Sequence, residues 1–214
     1  QKAIMKALEN AADYISHHNK PGKAEVLGLH LEGPFINESR KGAQPSEHII
    51  LPDISLFLKM QAASGNNIRL VTLAPEKENG CELIAYLAEN EVIASVGHSD
   101  ASYGQMAEAV KAGATHVTHL FNGMRGMHHR DPGVAGAALL FNELKIEMIA
   151  DGIHVVPEML DLSIRAKGTD GVILITDSMR AKCLKNGSYD VGGQEVSVAR
   201  SEERRVGKEC PLLC

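Results

Sequence analysis

The sequence lacks several features that would point to a membrane or a nucleic acid. It contains no tryptophan, only 4% of its residues are aromatic, and no apolar run comes near the roughly 20 residues needed to span a bilayer. Its first residues hold no apolar signal-peptide core. It has no long basic run either, and its formal net charge is −5. We therefore expect a cytoplasmic protein that binds neither nucleic acid nor membranes.

Cysteine usage excludes two further classes of protein. The four cysteines are scattered and no two of them form a CxxC pair, so we predict neither a disulfide framework nor a thiolate zinc site. What the chain does have is 214 residues of which 44% are hydrophobic, which is enough for a core of ordinary size. A single domain is the simplest organisation.

Short apolar runs alternate with segments of helical periodicity along most of the chain. This alternation predicts parallel βαβ units. The six predicted strands are residues 26–31, 68–73, 92–96, 115–120, 145–150 and 172–176. Six such units fit either a doubly wound sheet or most of a (β/α)8 barrel, and the periodicity alone does not distinguish these two folds.

Polar residues at the strand ends favour the barrel. Glu32, His98, His119, His154 and Asp177 each lie at or just past the end of a predicted strand. A doubly wound sheet concentrates its ligand groups at one switch point, whereas the strands of a barrel all open on one face. We predict an α/β fold, an incomplete (β/α)8 TIM-type barrel with about six of its eight strands.

The residue types at these ends suit a metal-dependent hydrolase. A carboxylate from Glu32 and imidazoles from His98 and His119 form a zinc-type ligand set that leaves a position for water. Asp177 follows an apolar strand, where it either caps the next segment or acts as a general base. His30 shares a strand face with Glu32 by the period-two rule, so it either lines the pocket or provides another ligand.

Seven sequence strings resemble one known family. In chain order they are GLHLEGPFIN, KGAQ, GHSDA, ATHVTHLFNGM, RDPGVAGA, ADGIHV and ITDSMRAK. Together they are similar to the N-acetylglucosamine-6-phosphate deacetylase family of the amidohydrolase superfamily. The resemblance covers roughly residues 1–198, which we predict form a partial amidohydrolase barrel domain. The composition shifts after residue 198, and we predict that residues 199–214 are a tail foreign to that domain.

The resemblance implies specific roles for the strand-end residues. By it, Glu32, His98 and His119 match the metal ligands and Asp177 matches the catalytic carboxylate. The implied reaction is metal-dependent hydrolysis of the acetamide of N-acetylglucosamine 6-phosphate, which yields glucosamine 6-phosphate and acetate. A carboxylate with two imidazoles favours zinc, and iron, manganese or cobalt also fit such a site.

Substrate contacts are implied by the same resemblance. Asn122 and Gly123 match the segment that holds the sugar phosphate. Arg130 matches a phosphate-binding arginine that reaches in from a neighbouring subunit, which implies a homodimer for the full-length protein. His154 matches a substrate-contacting loop, and Gln44 stands where some members have a histidine near the scissile carbonyl.

Several departures from the family keep alternatives open. Complete members are about twice this length, with two more barrel strands and a small β-sandwich. A six-stranded barrel cannot close, so this chain is expected to expose strand edges. The alternatives are an inactive fragment of such an enzyme, or another amidohydrolase of the dihydroorotase-like or dipeptidase-like kind.

Overall fold

A computed structural model describes residues 2–179, 184–191, 194–199 and 202–205. Its six α-helices are α1 (Lys2–His18), α2 (Ile54–Ala63), α3 (Gly80–Glu89), α4 (Tyr103–Ala112), α5 (Gly133–Leu140) and α6 (Pro157–Lys167). Its strands are β1 (Leu29–Glu32), β2 (Ile68–Leu73), β3 (Ile93–Val96), β4 (His116–Val117), β5 (Lys145–Ile149), β6 (Val172–Ile175), β7 (Gly187–Val191), β8 (Gln194–Ala199) and β9 (Glu202–Arg205).

The first six strands form one parallel sheet in which spatial order equals chain order. Right-handed crossovers that always step in the same direction place every connecting helix on the same side of the sheet. A doubly wound sheet would reverse direction at a switch point. The order β1-β2-β3-β4-β5-β6 therefore confirms the incomplete (β/α)8 barrel predicted from the sequence.

The start of β1 and the end of β4 each differ from the prediction by three residues, and each difference has a local reason. Before β1, the backbone N–H and C=O of Val26 bond to the side chain of Asn19, so these groups do not join the sheet. After β4, Thr118 and Leu120 still donate backbone hydrogen bonds to neighbouring strands. His119 between them has a φ of 35°, which breaks the extended backbone and turns the chain.

The helices cover the outer side of the sheet through apolar faces. Leu83, Ile84 and Leu87 of α3 are fully buried, as are strand residues such as Leu73 and Ile146. Local signals fix the helix starts: the Asp53 side chain accepts a hydrogen bond from the Leu56 N–H at the start of α2. Ser102 and Gln105 form a capping box at the start of α4.

Strands β7, β8 and β9 form a separate antiparallel sheet that the sequence pattern did not predict. Strand β9 lies within the segment predicted to be a foreign tail, and it pairs with β8. Whether residues 199–214 are foreign to the domain stays a prediction, and residues 206–214 lie outside the described part. None of the helices described is both long and apolar enough to cross a membrane.

Candidate metal centre

Three of the predicted site residues have an unusual backbone conformation. His98, His119 and Asp177 have φ values of 48°, 35° and 47°. Residues other than glycine seldom occupy this left-handed region, and functional sites are where such strain collects. The three residues follow β3, β4 and β6, so the chain turns sharply just beyond the strand ends.

Glu32, His98 and His119 meet at this end of the sheet. Oε1 of Glu32 lies 2.7 Å from Nε2 of His98 and 3.1 Å from Nε2 of His119, and the two Nε2 atoms are 3.1 Å apart. The side chains of His98 and His119 are only 8% and 4% exposed, and that of Glu32 is 25% exposed. Among the described residues, this is the one group of His, Cys, Asp or Glu side chains with metal-binding spacing.

The hydrogen bonds of the two histidines make the cluster suitable for a cation. Nδ1 of His98 donates to the carbonyl oxygen of Arg40 at 2.8 Å, so the neutral ring presents a lone pair at Nε2. Nε2 faces a carboxylate oxygen of Glu32 at 2.7 Å, and a positive charge between the two atoms, either a proton on Nε2 or a metal ion, stabilises this contact. A divalent cation can supply this charge, and the donor set fits one of borderline softness such as zinc.

Electrostatic coupling within the cluster is strong. Burial by itself raises the pKa of Glu32, but hydrogen bonds from His119 and His98 and their charges outweigh it and hold the pKa well below its ordinary range. Burial lowers the pKa of His119, yet the hydrogen bond and charge of Glu32 reverse this and raise it. The carboxylate is therefore ionised at neutral pH and attracts cations.

Asp177 and His154 lie at the same end of the sheet but are less enclosed. The Asp177 side chain reaches solvent, and partial desolvation raises its pKa, with the Glu32 carboxylate adding to the effect. Nδ1 of His154 is 2.7 Å from Oδ2 of Asp151, whose Oδ1 also accepts the backbone N–H of His154 at 2.9 Å. This turn fixes the direction of the imidazole.

The residues predicted to contact substrate are spread over several loops. Asn122 is buried, and its amide donates to the backbone oxygens of His119 and Leu120 at 3.3 and 3.4 Å. Gln44 donates to the backbone oxygen of Glu32 at 3.3 Å. Arg130 is exposed on the loop between β4 and α5.

Gly123 has a packing role that the sequence did not reveal. Its φ is 54°, and a Cβ added there would lie 2.9 Å from Nδ1 of His98. Only glycine lets the backbone approach the imidazole this closely. Gly123 therefore contacts a candidate metal ligand directly.

A chain of polar contacts that runs from His30 to the buried hydroxyls of Thr72, Thr118 and Ser95 was also missed. Nε2 of His30 is 2.7 Å from Oγ1 of Thr72, which lies 2.6 Å from Oγ1 of Thr118. Oγ of Ser95 lies 2.7 Å from the same Thr118 atom. His30 is thus outside the three-residue cluster, and burial lowers its pKa, which favours the neutral ring.

Glu147 on β5 is the other polar residue missed. It is 5% exposed, and its Oε2 has no hydrogen-bond partner among the described residues. Burial first, then the charges of Glu32 and Asp177, raise its pKa to about 7 even though His119 opposes the shift. The sequence offered one signal that could have identified Glu147, which is a charged residue inside the apolar run KIEMIA.

The sequential parallel sheet and the cluster at its carboxyl end define the class of protein, an incomplete (β/α)8 barrel with a candidate divalent metal site. Comparisons with known proteins agree with this class. No protein-family model matches the chain. The N-acetylglucosamine-6-phosphate deacetylase of Lysinibacillus sphaericus is 52% identical over 85% of this chain and 47% of its own length. That of Bacillus subtilis (strain 168) is 50% identical over 91% of this chain and 50% of its own length.

A solved structure matches as well. It is a mutant of N-acetyl-D-glucosamine-6-phosphate deacetylase from Mycobacterium smegmatis in complex with N-acetyl-D-glucosamine-6-phosphate. It superposes with a TM-score of 0.90 at 32% identity, over 97% of this chain and 53% of that chain. The resemblance to N-acetylglucosamine-6-phosphate deacetylases is confirmed, and the chain spans about half the length of the relatives that it matches.

Proposed function

We propose that this chain provides the metal-binding part of an enzyme that hydrolyses the acetamide of N-acetylglucosamine 6-phosphate to glucosamine 6-phosphate and acetate. The observation that carries the proposal is the cluster of Glu32, His98 and His119, in which one carboxylate oxygen and two Nε2 atoms lie within 3.1 Å of one another. It stands in a chain that is similar to deacetylases over 85% or more of its length.

Glu32, His98 and His119 would hold the cation through one oxygen and two Nε2 atoms. When bound, a divalent ion supplies Lewis-acid chemistry, polarising a carbonyl oxygen and easing the deprotonation of water. Asp177 acts as the general base, because its pKa is raised and its carboxylate is coupled to Glu32 and to both histidines. It accepts the proton of the attacking water and then returns it to the leaving amine nitrogen.

The remaining contacts complete the proposed substrate site. His154, held by Asp151, donates to the sugar, and Gln44 donates to the acetamide carbonyl. Asn122 and Gly123 bind the phosphate, and Arg130 of a second copy completes that site in a homodimer. Zinc is the proposed ion, with iron, manganese or cobalt as substitutes, and the cytoplasmic location stays a prediction.

A second candidate function is a chain that binds metal without turning over substrate. The observation that favours it is the exposure of β6, whose Leu174 side chain is 72% exposed. Asp177 follows this strand. Among the described residues β6 pairs only with β5, so the position of Asp177 depends on an edge strand. Such a chain would bind the ion and leave the acetamide intact.

Acetate release distinguishes these functions. It is measured with N-acetylglucosamine 6-phosphate, with and without added zinc, for this chain and for a full-length chimera in which it replaces the aligned half of the Bacillus subtilis relative. We expect zinc-dependent turnover from the chimera. A folded, zinc-loaded chimera that releases no acetate would refute the proposal, and a panel of dihydroorotase and dipeptidase substrates would then identify the reaction.

Asp177→Asn in the chimera tests the proposed general base. An amide is nearly isosteric but accepts no proton, so kcat should fall by about 10²–10⁴-fold. Zinc affinity, measured by calorimetry, should change by less than about threefold because, among the described residues, Asp177 makes no hydrogen bond that orients Glu32, His98 or His119. A variant with unchanged kcat would remove Asp177 from the mechanism.

A further inference from the structure

Glu76 lies outside the three-residue cluster and joins two loops of the site. It follows β2, and both of its carboxylate oxygens are used. Oε1 accepts the side-chain amide of Asn37 at 2.8 Å and the backbone N–H of Asp100 at 2.6 Å, while Oε2 accepts the hydroxyl of Ser99 at 2.7 Å. The loop after β1 and the turn after β3 are therefore bound to the same carboxylate.

These two segments are the ones that hold His98. The backbone N–H of Asn37 donates to the backbone oxygen of His98 at 2.8 Å, and Nδ1 of His98 donates to the backbone oxygen of Arg40 at 2.8 Å. The guanidinium of Arg40 in turn bonds to Oδ1 of Asp100, from Nη2 at 2.7 Å and from Nε at 2.9 Å. The contacts form a closed circuit in which Glu76 is the shared acceptor.

The His98 ring has little freedom within this circuit. A Cβ added to Gly42 would lie 3.3 Å from Cε1 of His98, and one added to Gly123 would lie 2.9 Å from Nδ1. Both glycines have positive φ, at 56° and 54°. The ring is packed between two backbone segments, so a shift of either loop changes the direction of Nε2.

We propose that Glu76 is a positioning residue for the metal centre. Acting through Asn37 and through the Ser99-Asp100 turn, it keeps Nδ1 of His98 bonded to Arg40 and Nε2 directed at Glu32. This inference rests on the proposed function for its metal. Outer partners of metal ligands typically contribute about 10–100-fold in metal affinity, and we assign Glu76 a contribution of this size.

The first test compares Glu76→Ala with Glu78→Ala, a matched control because Glu78 lies in the same loop and is exposed. In the metal-free chain, NMR of ¹⁵N-labelled imidazoles should show the signal of the His98 Nδ1–H hydrogen-bonded to the Arg40 carbonyl in the control and its loss in Glu76→Ala. Zinc affinity by competition titration should fall by about 10–100-fold in Glu76→Ala and stay within about twofold in the control.

Glu76→Gln is the conservative variant that separates positioning from charge. Its Oε1 can accept from Asn37 and Asp100 while its amide donates to Ser99 Oγ, so the circuit remains and zinc affinity should recover to within about fivefold. Asn37→Asp tests the same contact from the other side, because it places two carboxylates together. The double variant Asn37→Asp with Glu76→Gln removes the repulsion between two carboxylates and should regain part of the affinity lost in Asn37→Asp.

Each outcome decides the inference. Glu76→Ala that keeps the His98 signal and binds zinc as tightly as Glu78→Ala would overturn it, as would an Asn37→Asp defect that the double variant does not relieve. If Glu76→Ala does not fold, the comparison of Asn37→Asp with the double variant decides the inference alone. If no form of the chain binds zinc but the His98 signal is lost only in Glu76→Ala, positioning by Glu76 stands and the proposed metal chemistry fails.

Discussion

Two parts of the parallel sheet, strands β1–β4 and strands β5–β6, hold their polar side chains in different ways. At the ends of β1, β3 and β4, Glu32, His98 and His119 are mostly enclosed and bond to one another. At the ends of β5 and β6, His154 bonds to its own loop and Asp177 reaches solvent. The proposed cation site is thus formed by enclosed side chains, whereas the proposed proton transfer would rely on a side chain that follows the edge strand β6.

Removal of one proposed ligand should produce the largest change in zinc affinity and sharpen this difference. Zinc sites with four ligands gain about 10–16 kcal/mol in total, so His119→Ala should weaken zinc binding by roughly 10²–10³-fold. His154→Ala, after β5, is the matched control in the other part of the sheet and should change the zinc affinity by less than about twofold. If calorimetry shows equal losses of zinc affinity in the two variants, both parts of the sheet bind the ion.

Side-chain packing should also contribute more to stability in strands β1–β4 than in strands β5–β6. Leu73 on β2 is fully buried, and Leu73→Ala should lower the free energy of unfolding by about 2–5 kcal/mol. Leu174 on β6 is 72% exposed, and Leu174→Ala should change it by less than about 0.5 kcal/mol. Urea denaturation of the metal-free chain measures both. A large loss for Leu174→Ala would mean that a second copy or another segment covers β6.

Glu147 gives the smallest predicted effect and a pH dependence. Its pKa is raised from 4.5 to about 7 in the folded chain, so its contribution to stability is complete below pH 4.5 and is lost as the pH rises through about 7. Glu147→Gln has no such loss. In the metal-free chain it should gain about 1–3 kcal/mol over the unchanged chain between pH 5 and pH 8.5, after allowance for partial exposure.

Denaturation at several pH values, with EDTA present, measures this gain. A Glu147→Gln variant whose advantage does not change with pH would show that the carboxyl is already ionised at pH 5. Glu143→Gln, in the loop before β5 and exposed, is the matched control.

Much of this architecture follows from the sequence. The apolar runs identified all six parallel strands. The polar residues at their ends separated a barrel from a doubly wound sheet, because the carboxyl ends of all barrel strands open on one face. The cluster of Glu32, His98 and His119 was predicted for the same reason. The roles of these residues stay predictions until metal binding and turnover are measured.

Other features could not be predicted because they depend on contacts between distant loops. The bond from His98 to the Arg40 carbonyl joins residues 58 positions apart and involves no special residue type, since every backbone offers that acceptor. The hydroxyl chain of Thr72, Ser95 and Thr118 needs the strand register, which periodicity does not supply. Strands β7–β9 lack the apolar runs of the parallel strands in their sequence and were missed.

The left-handed backbone of His98, His119 and Asp177 sets activity against stability at these positions. Strained residues of this kind cost about 1–3 kcal/mol each, out of a total folding stability of about 5–15 kcal/mol. Glycine would relieve the strain but would remove the imidazole or carboxylate. A screen for thermal stability alone would therefore enrich glycine at Asp177, where little packing is lost, and its most stable variants would lack the proposed general base.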